Sequence, residues 1–151
     1  MFSIFISCNK DIDNSKEIWL SAKESYIKND FDSTVVLLSS ILDKFPASYY
    51  SAESMYLLHK IYLNEYQQYD IALLYLNKII NNFPDHELSK KSLFTIGYIY
   101  SNHLSSYSDA YIAYDTFIKQ YPNDALVPSA QYEIDGLKPY LDDIQNLLNK
   151  K

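Results

Sequence analysis

The sequence predicts an all-α protein built as a stack of helical hairpins. Three observations point that way. The dipeptides Phe45-Pro46, Phe83-Pro84 and Tyr121-Pro122 set their prolines two equal steps apart along the chain, and a fixed period of this size marks an array of repeated supersecondary units. Apolar residues before each proline recur at intervals of three and four, which line one face of a helix. The chain has only two glycines, Gly97 and Gly136, whereas β-hairpins and phosphate-cradling loops draw on glycine at their turns.

Each element follows from the period. Before the prolines stand, in matching slots, Phe31, Tyr69 and Tyr107; then Thr34, Ala72 and Ala110; then Leu38, Leu76 and Tyr114; then Ile41, Ile79 and Phe117. These slots define helices over 31–44, 69–82 and 107–120, each closed by its proline. A second periodic stretch follows. Met55, Leu58 and Tyr62 in one copy match Leu93, Ile96 and Tyr100 in the next, and His59 shares a slot with Gly97. They predict helices over 49–64 and 87–102. In the first copy Trp19, Ala22 and Tyr26 fill the same slots only if about two residues are missing before Phe31, which gives a helix over 15–28. Beyond the third copy we expect a helix over 125–135, a break at Gly136 and Lys138-Pro139, and a closing helix over 139–149. Pro139 suits a first-turn position, and Leu141, Ile144, Leu147 and Leu148 form the apolar stripe.

Composition narrows function. The 151 residues carry a formal charge of −6, and every one of the 13 basic residues is lysine. Nucleic-acid readout relies on a basic surface and on arginine, so nucleic acid is not an expected partner. No apolar run approaches the roughly 20 residues of a membrane-spanning helix. One cysteine allows neither an internal disulfide nor a cysteine-based zinc site.

The segment 93–122, LFTIGYIYSNHLSSYSDAYIAYDTFIKQYP, resembles a tetratricopeptide repeat. Leu93, Ile96, Gly97 and Tyr100 fall on the first-helix signature, and Tyr107, Ala110, Tyr114 and Pro122 on the second. Met55, Leu58, Tyr62, Tyr69, Ala72, Leu76 and Pro84 match likewise, with His59 in place of the usual glycine. The first copy keeps Trp19 but has Thr34 for alanine. The resemblance covers about residues 15–135. It implies a right-handed superhelical solenoid of antiparallel hairpins, about three and a half repeats long, ending in a closing helix. The usual period is about 34 residues, and the step from Pro46 to Pro84 is longer. The excess lies after each proline, in FPASYYSAES, FPDHELSKKS and YPNDALVPSA. That long connection is similar to the repeats of BamD-like outer-membrane assembly lipoproteins and of the periplasmic protein YbgF.

The N-terminus bears on location. Bacterial lipoproteins carry an apolar segment ending in a short box before a cysteine, and Phe5-Ile6-Ser7-Cys8 resembles that box. Residues 1–8 then read as a truncated lipoprotein signal lipidated at Cys8, 9–14 as a hydrophilic tether and 15–151 as the repeat domain. Seven residues precede Cys8 and none is basic, which departs from a full signal; a start upstream of Met1 would supply the rest. The alternative is a frayed terminus whose Phe2, Ile4 and Phe5 cover the first hairpin.

No catalytic set emerges. His59, His86 and His103 are isolated, without metal-ligand spacing. His59 reads as packing between helices. Asp85 reads as a helix cap, with His86-Glu87 in the first turn behind it. No cofactor or metal is expected. The resemblance puts a concave groove on the first helix of each hairpin, at slots outside the core: Glu17, Leu20 and Glu24; Glu53, Tyr56, Lys60 and Asn64; Lys91, Phe94, Tyr98 and Asn102. Tyr56, Phe94 and Tyr98 would offer flat contact area, and the lysines and asparagines would hydrogen-bond a peptide backbone. Tyr56 and Phe94 stand where a carboxylate-binding groove would have a basic residue. The expectation is a non-catalytic protein–protein interaction scaffold. Cys8 would anchor it at the periplasmic face of the outer membrane, where it would serve cell-envelope assembly. The alternative is a soluble cytoplasmic scaffold or oligomerisation module.

Overall fold

The computed structural model describes residues 13–148, and side chains as far as Leu141. The truncated signal, Cys8 and most of the tether lie outside the described residues. So do the side chains of Ile144, Leu147 and Leu148. Seven helices follow one another: α1 (Ser15–Ile27), α2 (Phe31–Lys44), α3 (Tyr49–Asn64), α4 (Tyr69–Asn82), α5 (Glu87–Asn102), α6 (Tyr107–Gln120) and α7 (Val127–Leu148). The fold is all-α, as expected, and the helices from α2 to α6 have the bounds that the period predicts. Two compact units are present, one up to Ser51 and one from Ala52 onward.

In the first unit α1 packs on α2. Ala22, Leu38 and Ile41 are fully buried, and so is Thr34. Thr34 takes the slot held by alanine in the other copies because its hydroxyl donates to the Asp30 carbonyl one turn back, at 2.7 Å. That bond satisfies the one polar atom threonine adds. The Ser15 and Ser48 hydroxyls share a hydrogen bond of 2.7 Å, and the Ser51 hydroxyl donates to the Phe45 carbonyl at 2.6 Å.

In the second unit each helix packs on the next, α4 on α5, α5 on α6 and α6 on α7. One core cluster joins Leu63 of α3, Leu73 and Leu76 of α4, Ile96 and Ile99 of α5 and Ala113 of α6. A second joins Leu93 of α5, Tyr114 and Phe117 of α6 and Ala130, Ile134 and Leu137 of α7. Gly97 permits the closest approach. A Cβ there would meet the Tyr114 ring at 2.8–2.9 Å. In the preceding copy the pair exchanges volume: His59 takes the glycine slot and Leu76 the slot of Tyr114.

The turns repeat as faithfully as the core. Asn29, Gln67 and Ser105 all have positive φ, between 51° and 59°, and they stand one period apart like the prolines. Each reverses the chain between the two helices of a hairpin. Phe45, Phe83 and Tyr121, each just before its proline, share φ near −130° and ψ between 51° and 57°. Three residues on, a different side chain each time accepts from the backbone N–H two residues later, capping α3 and α5 and closing the turn ahead of α7. The Ser48 hydroxyl accepts from the Tyr50 N–H at 3.2 Å, His86 Nδ1 from the Leu88 N–H at 3.2 Å and Asp124 Oδ1 from the Leu126 N–H at 2.9 Å. The expected cap Asp85 is therefore corrected to His86. The tight turn closed by the His86 N–H on the Phe83 carbonyl, 3.0 Å, brings residue 86 to the helix start.

The expected break at Gly136 to Pro139 is also corrected. Residues 127–148 form one helix with Pro139 inside it. Proline removes one backbone hydrogen bond and crowds the preceding turn, at about 3 kcal/mol. Against that, Ala130, Ile134 and Leu137 are buried and Leu141 packs on the same cluster. This stripe of four- and three-residue steps continues through the proline only if the helix does. The closing helix is thus α7 as a whole.

Candidate functional site

The off-core slots of the first helices meet different fates. In α1, Leu20 is exposed and Glu24 is tied to Lys28 at 2.7 Å. In α3, Tyr56 is half-buried against the first core cluster of the second unit and meets His59 edge-on at 4.4 Å between ring centres. The Lys60 ammonium lies 5.3 Å from the Tyr56 ring centre, a cation–π contact that keeps both on one face. Asn64 is exposed. In α5, Lys91 pairs with Glu87 at 3.3 Å. Phe94 turns its ring edge-on to Tyr114 and Phe117, at 5.3 and 5.7 Å, so much of that ring serves packing. Tyr98 is 43% exposed. The Asn102 side chain donates to the Tyr98 carbonyl at 3.1 Å.

Of these residues Asn102 borders a cavity of about 380 Å³. Ser101 and Asn102 at the end of α5, Tyr107 at the start of α6, and Tyr132, Glu133, Gly136 and Tyr140 of α7 line it. Three of the α7 residues continue the groove slots of α5 one period later: Tyr132 follows Phe94, Gly136 follows Tyr98 and Tyr140 follows Asn102. Extending the period one step would have found them; splitting the segment at Gly136 hid them. Nothing lies within 4 Å of where a Gly136 Cβ would stand. The cavity exists because the slot filled by Lys60 and Tyr98 in earlier copies carries no side chain here.

The walls are aromatic. Tyr107 and Tyr140 stack with ring centres 4.3 Å apart and planes 26° apart, the offset geometry favoured by ring quadrupoles. Tyr132 is 77% exposed and Tyr140 49%. Two carboxylates sit among them. Asp135 accepts from the Lys138 ammonium at 2.7 Å and from Gln131 at 3.2 Å, and the Lys138 bond above all holds its carboxyl below the usual range. Glu133 makes no ion pair among the described residues. The buried Tyr114 hydroxyl has no hydrogen-bond partner among the described residues. Burial, then Glu133, then Tyr98 push that phenol well above its ordinary value.

Elsewhere the polar groups serve structure. His59 is buried as expected, and burial drives its imidazole down to about 3, with the Lys60 charge adding to the effect and the Tyr56 backbone opposing it. Lys90 bonds Asp124 at 2.6 Å, tying the body of α5 to the turn ahead of α7. Among the described residues no cluster of His, Cys, Asp and Glu could hold a metal ion, and no helix is long and apolar enough to cross a membrane.

Comparison with known proteins agrees with this geometry. The family model for the tetratricopeptide repeat matches residues 47–86 and 91–124, the two copies in which the spacing is most regular. No curated protein matches the chain. In this match and in their shared turns, residues 47–86 and 91–124 of this chain are similar to tetratricopeptide repeats.

Proposed function

We propose that the chain is a non-catalytic adaptor that docks a peptide or protein partner on the groove face of its first helices. One observation carries this reading. The core slots Thr34, Leu38 and Ile41 and their counterparts are buried in every copy, while the groove slots keep an aromatic at Tyr56, Phe94 and Tyr132 but change from Lys60 to Tyr98 to Gly136, and from Asn64 and Asn102 to Tyr140. Packing constrains the first set; the second, partly exposed and varied, is free to fit a ligand. Tetratricopeptide repeats are scaffolds for protein partners in general, and the exposed rings of Tyr98, Tyr132 and Tyr140 supply rigid contact area.

Its setting, on this reading, is the cell envelope. Cys8 behind Phe5-Ile6-Ser7 supports a lipid anchor, and the long connections after the prolines support kinship with BamD-like and YbgF-like envelope proteins. Two measurements test the reading. A photo-crosslinking residue at Tyr98 or Tyr132 should capture a defined partner in cells, whereas one at Val36 should not; equal capture, or none, refutes the groove. Labelling with an azide-bearing fatty acid should mark the wild type and not Cys8→Ser. An unlabelled protein in the cytosolic fraction would replace the envelope setting with that of a cytoplasmic scaffold.

A further inference from the structure

We propose that the cavity bounded by the ends of α5 and α7 and the start of α6 receives a cationic side chain, arginine or lysine, from the docked partner. The inference rests on the adaptor reading and adds to it the chemistry of what is bound. Glu133 is the charge in this cavity with no cation paired to it among the described residues. Lys138 occupies Asp135, so Glu133 is the carboxylate open to a new partner. The stacked Tyr107 and Tyr140 rings and the exposed Tyr132 ring line the same cavity, and a cation gains from ring faces as well as from a carboxylate. Gly136 provides the depth, with open space where its Cβ would be.

The Glu133 carboxylate borders the open cavity, where an incoming cation completes its electrostatic environment. An anionic group would meet Glu133 and Asp135 together. A neutral apolar group would bury Glu133 without compensation, which is costly. The chain's formal charge of −6 also steers a cationic partner toward it.

The two glycines make the test specific. Gly136 borders the cavity, while Gly97 is buried under Tyr114. Their amides are the only glycine backbone resonances in a ¹⁵N-labelled sample, one a reporter and the other an internal control. The probe is a capped alanine pentapeptide with one central arginine, compared with the same peptide carrying neutral citrulline. The arginine peptide should shift Gly136 saturably and leave Gly97 in place. Citrulline should bind about tenfold more weakly, and Glu133→Gln should lose a similar factor, as expected for a partly desolvated cation on a carboxylate and rings. Gly136→Leu, which meets no neighbour at its Cβ, should abolish binding of the fluorescein-labelled arginine peptide by anisotropy. Equal shifts from both peptides, or no Gly136 shift at millimolar arginine peptide, overturn the cation site. A partner captured from Tyr98 in cells together with either result would leave the adaptor standing and remove only this inference.

Discussion

His59 makes the stability of the second unit depend on pH. Its ring is buried, and burial keeps it from protonating until about 3 in the folded chain, against 6.5 when unfolded. The folded value lies below the unfolded one. Between those limits the unfolded chain binds a proton that the native chain refuses, so stability falls as pH falls from about 6.5 toward 3. Above 6.5 neither state binds it and the effect vanishes. Each pH unit inside the window costs about 1.4 kcal/mol, so moving from pH 7 to pH 4.5 removes roughly 2–3 kcal/mol. That is a sizeable share of the roughly 5–15 kcal/mol that holds a domain together. Replacing His59 by leucine removes the titration and keeps an apolar side chain in the slot. Urea unfolding of wild type and His59→Leu at the two pH values isolates the effect, because the 19 Asp and Glu residues are common to both. The wild type should lose roughly 2–3 kcal/mol more than the variant. Parallel losses, or an imidazole resonance of His59 that titrates near 6.5, would refute the reasoning.

Three further sets of substitutions probe the repeat geometry, each read by urea unfolding at pH 7. Gly97→Ala drives a Cβ into the Tyr114 ring and should destabilise by about 1–3 kcal/mol despite alanine's better helix propensity, whereas Gly136→Ala meets nothing and should stabilise by up to about 1 kcal/mol. Gln67→Gly and Ser105→Gly relieve a left-handed backbone and should each gain a few tenths to about 1 kcal/mol, whereas Asn29→Gly should be near neutral because asparagine tolerates that conformation. His86→Ala removes the cap on α5 and should cost about 1 kcal/mol, while His86→Asp, a good N-cap residue and the one found a period later at Asp124, should hold or raise stability.

Most of this architecture is legible because the repeat can be read against itself. The deficit in the first copy is an example: once it is allowed for, Ala22 falls on the slot of Leu58, and both are fully buried. Ser15 then falls with Ser51 and Ser89, all buried too. Errors arise where local chemistry is preferred to register. Asp85 is the better cap by residue type, but the position one period before Asp124 and one period after Ser48 is His86. Gly136 and Pro139 are strong helix breakers in isolation, yet the stripe of Ala130, Ile134, Leu137 and Leu141 overrides them. Phe94 occupies a groove slot by register, but the size of Tyr114 opposite Gly97 brings ring against ring, and no spacing rule reports that.

The continuity of α7 links the fold to the cavity. A helix broken before Pro139 would leave Tyr107 without the ring that stacks on it and would remove the Tyr140 wall. The chain instead tolerates an internal proline, offset by the packing of Leu137 and Leu141, and thereby keeps Tyr132, Gly136 and Tyr140 on one helical face at four-residue steps. In the matched copies those slots hold side chains that cover the groove: Lys60 over Tyr56, and Tyr98 beside His103 with ring centres 5.6 Å apart. In α7 the middle slot is empty. A repeat that keeps its core slots and its turns can vary its groove slots at little cost in stability, and the absence of a side chain from one slot turns a covered surface into an open cavity.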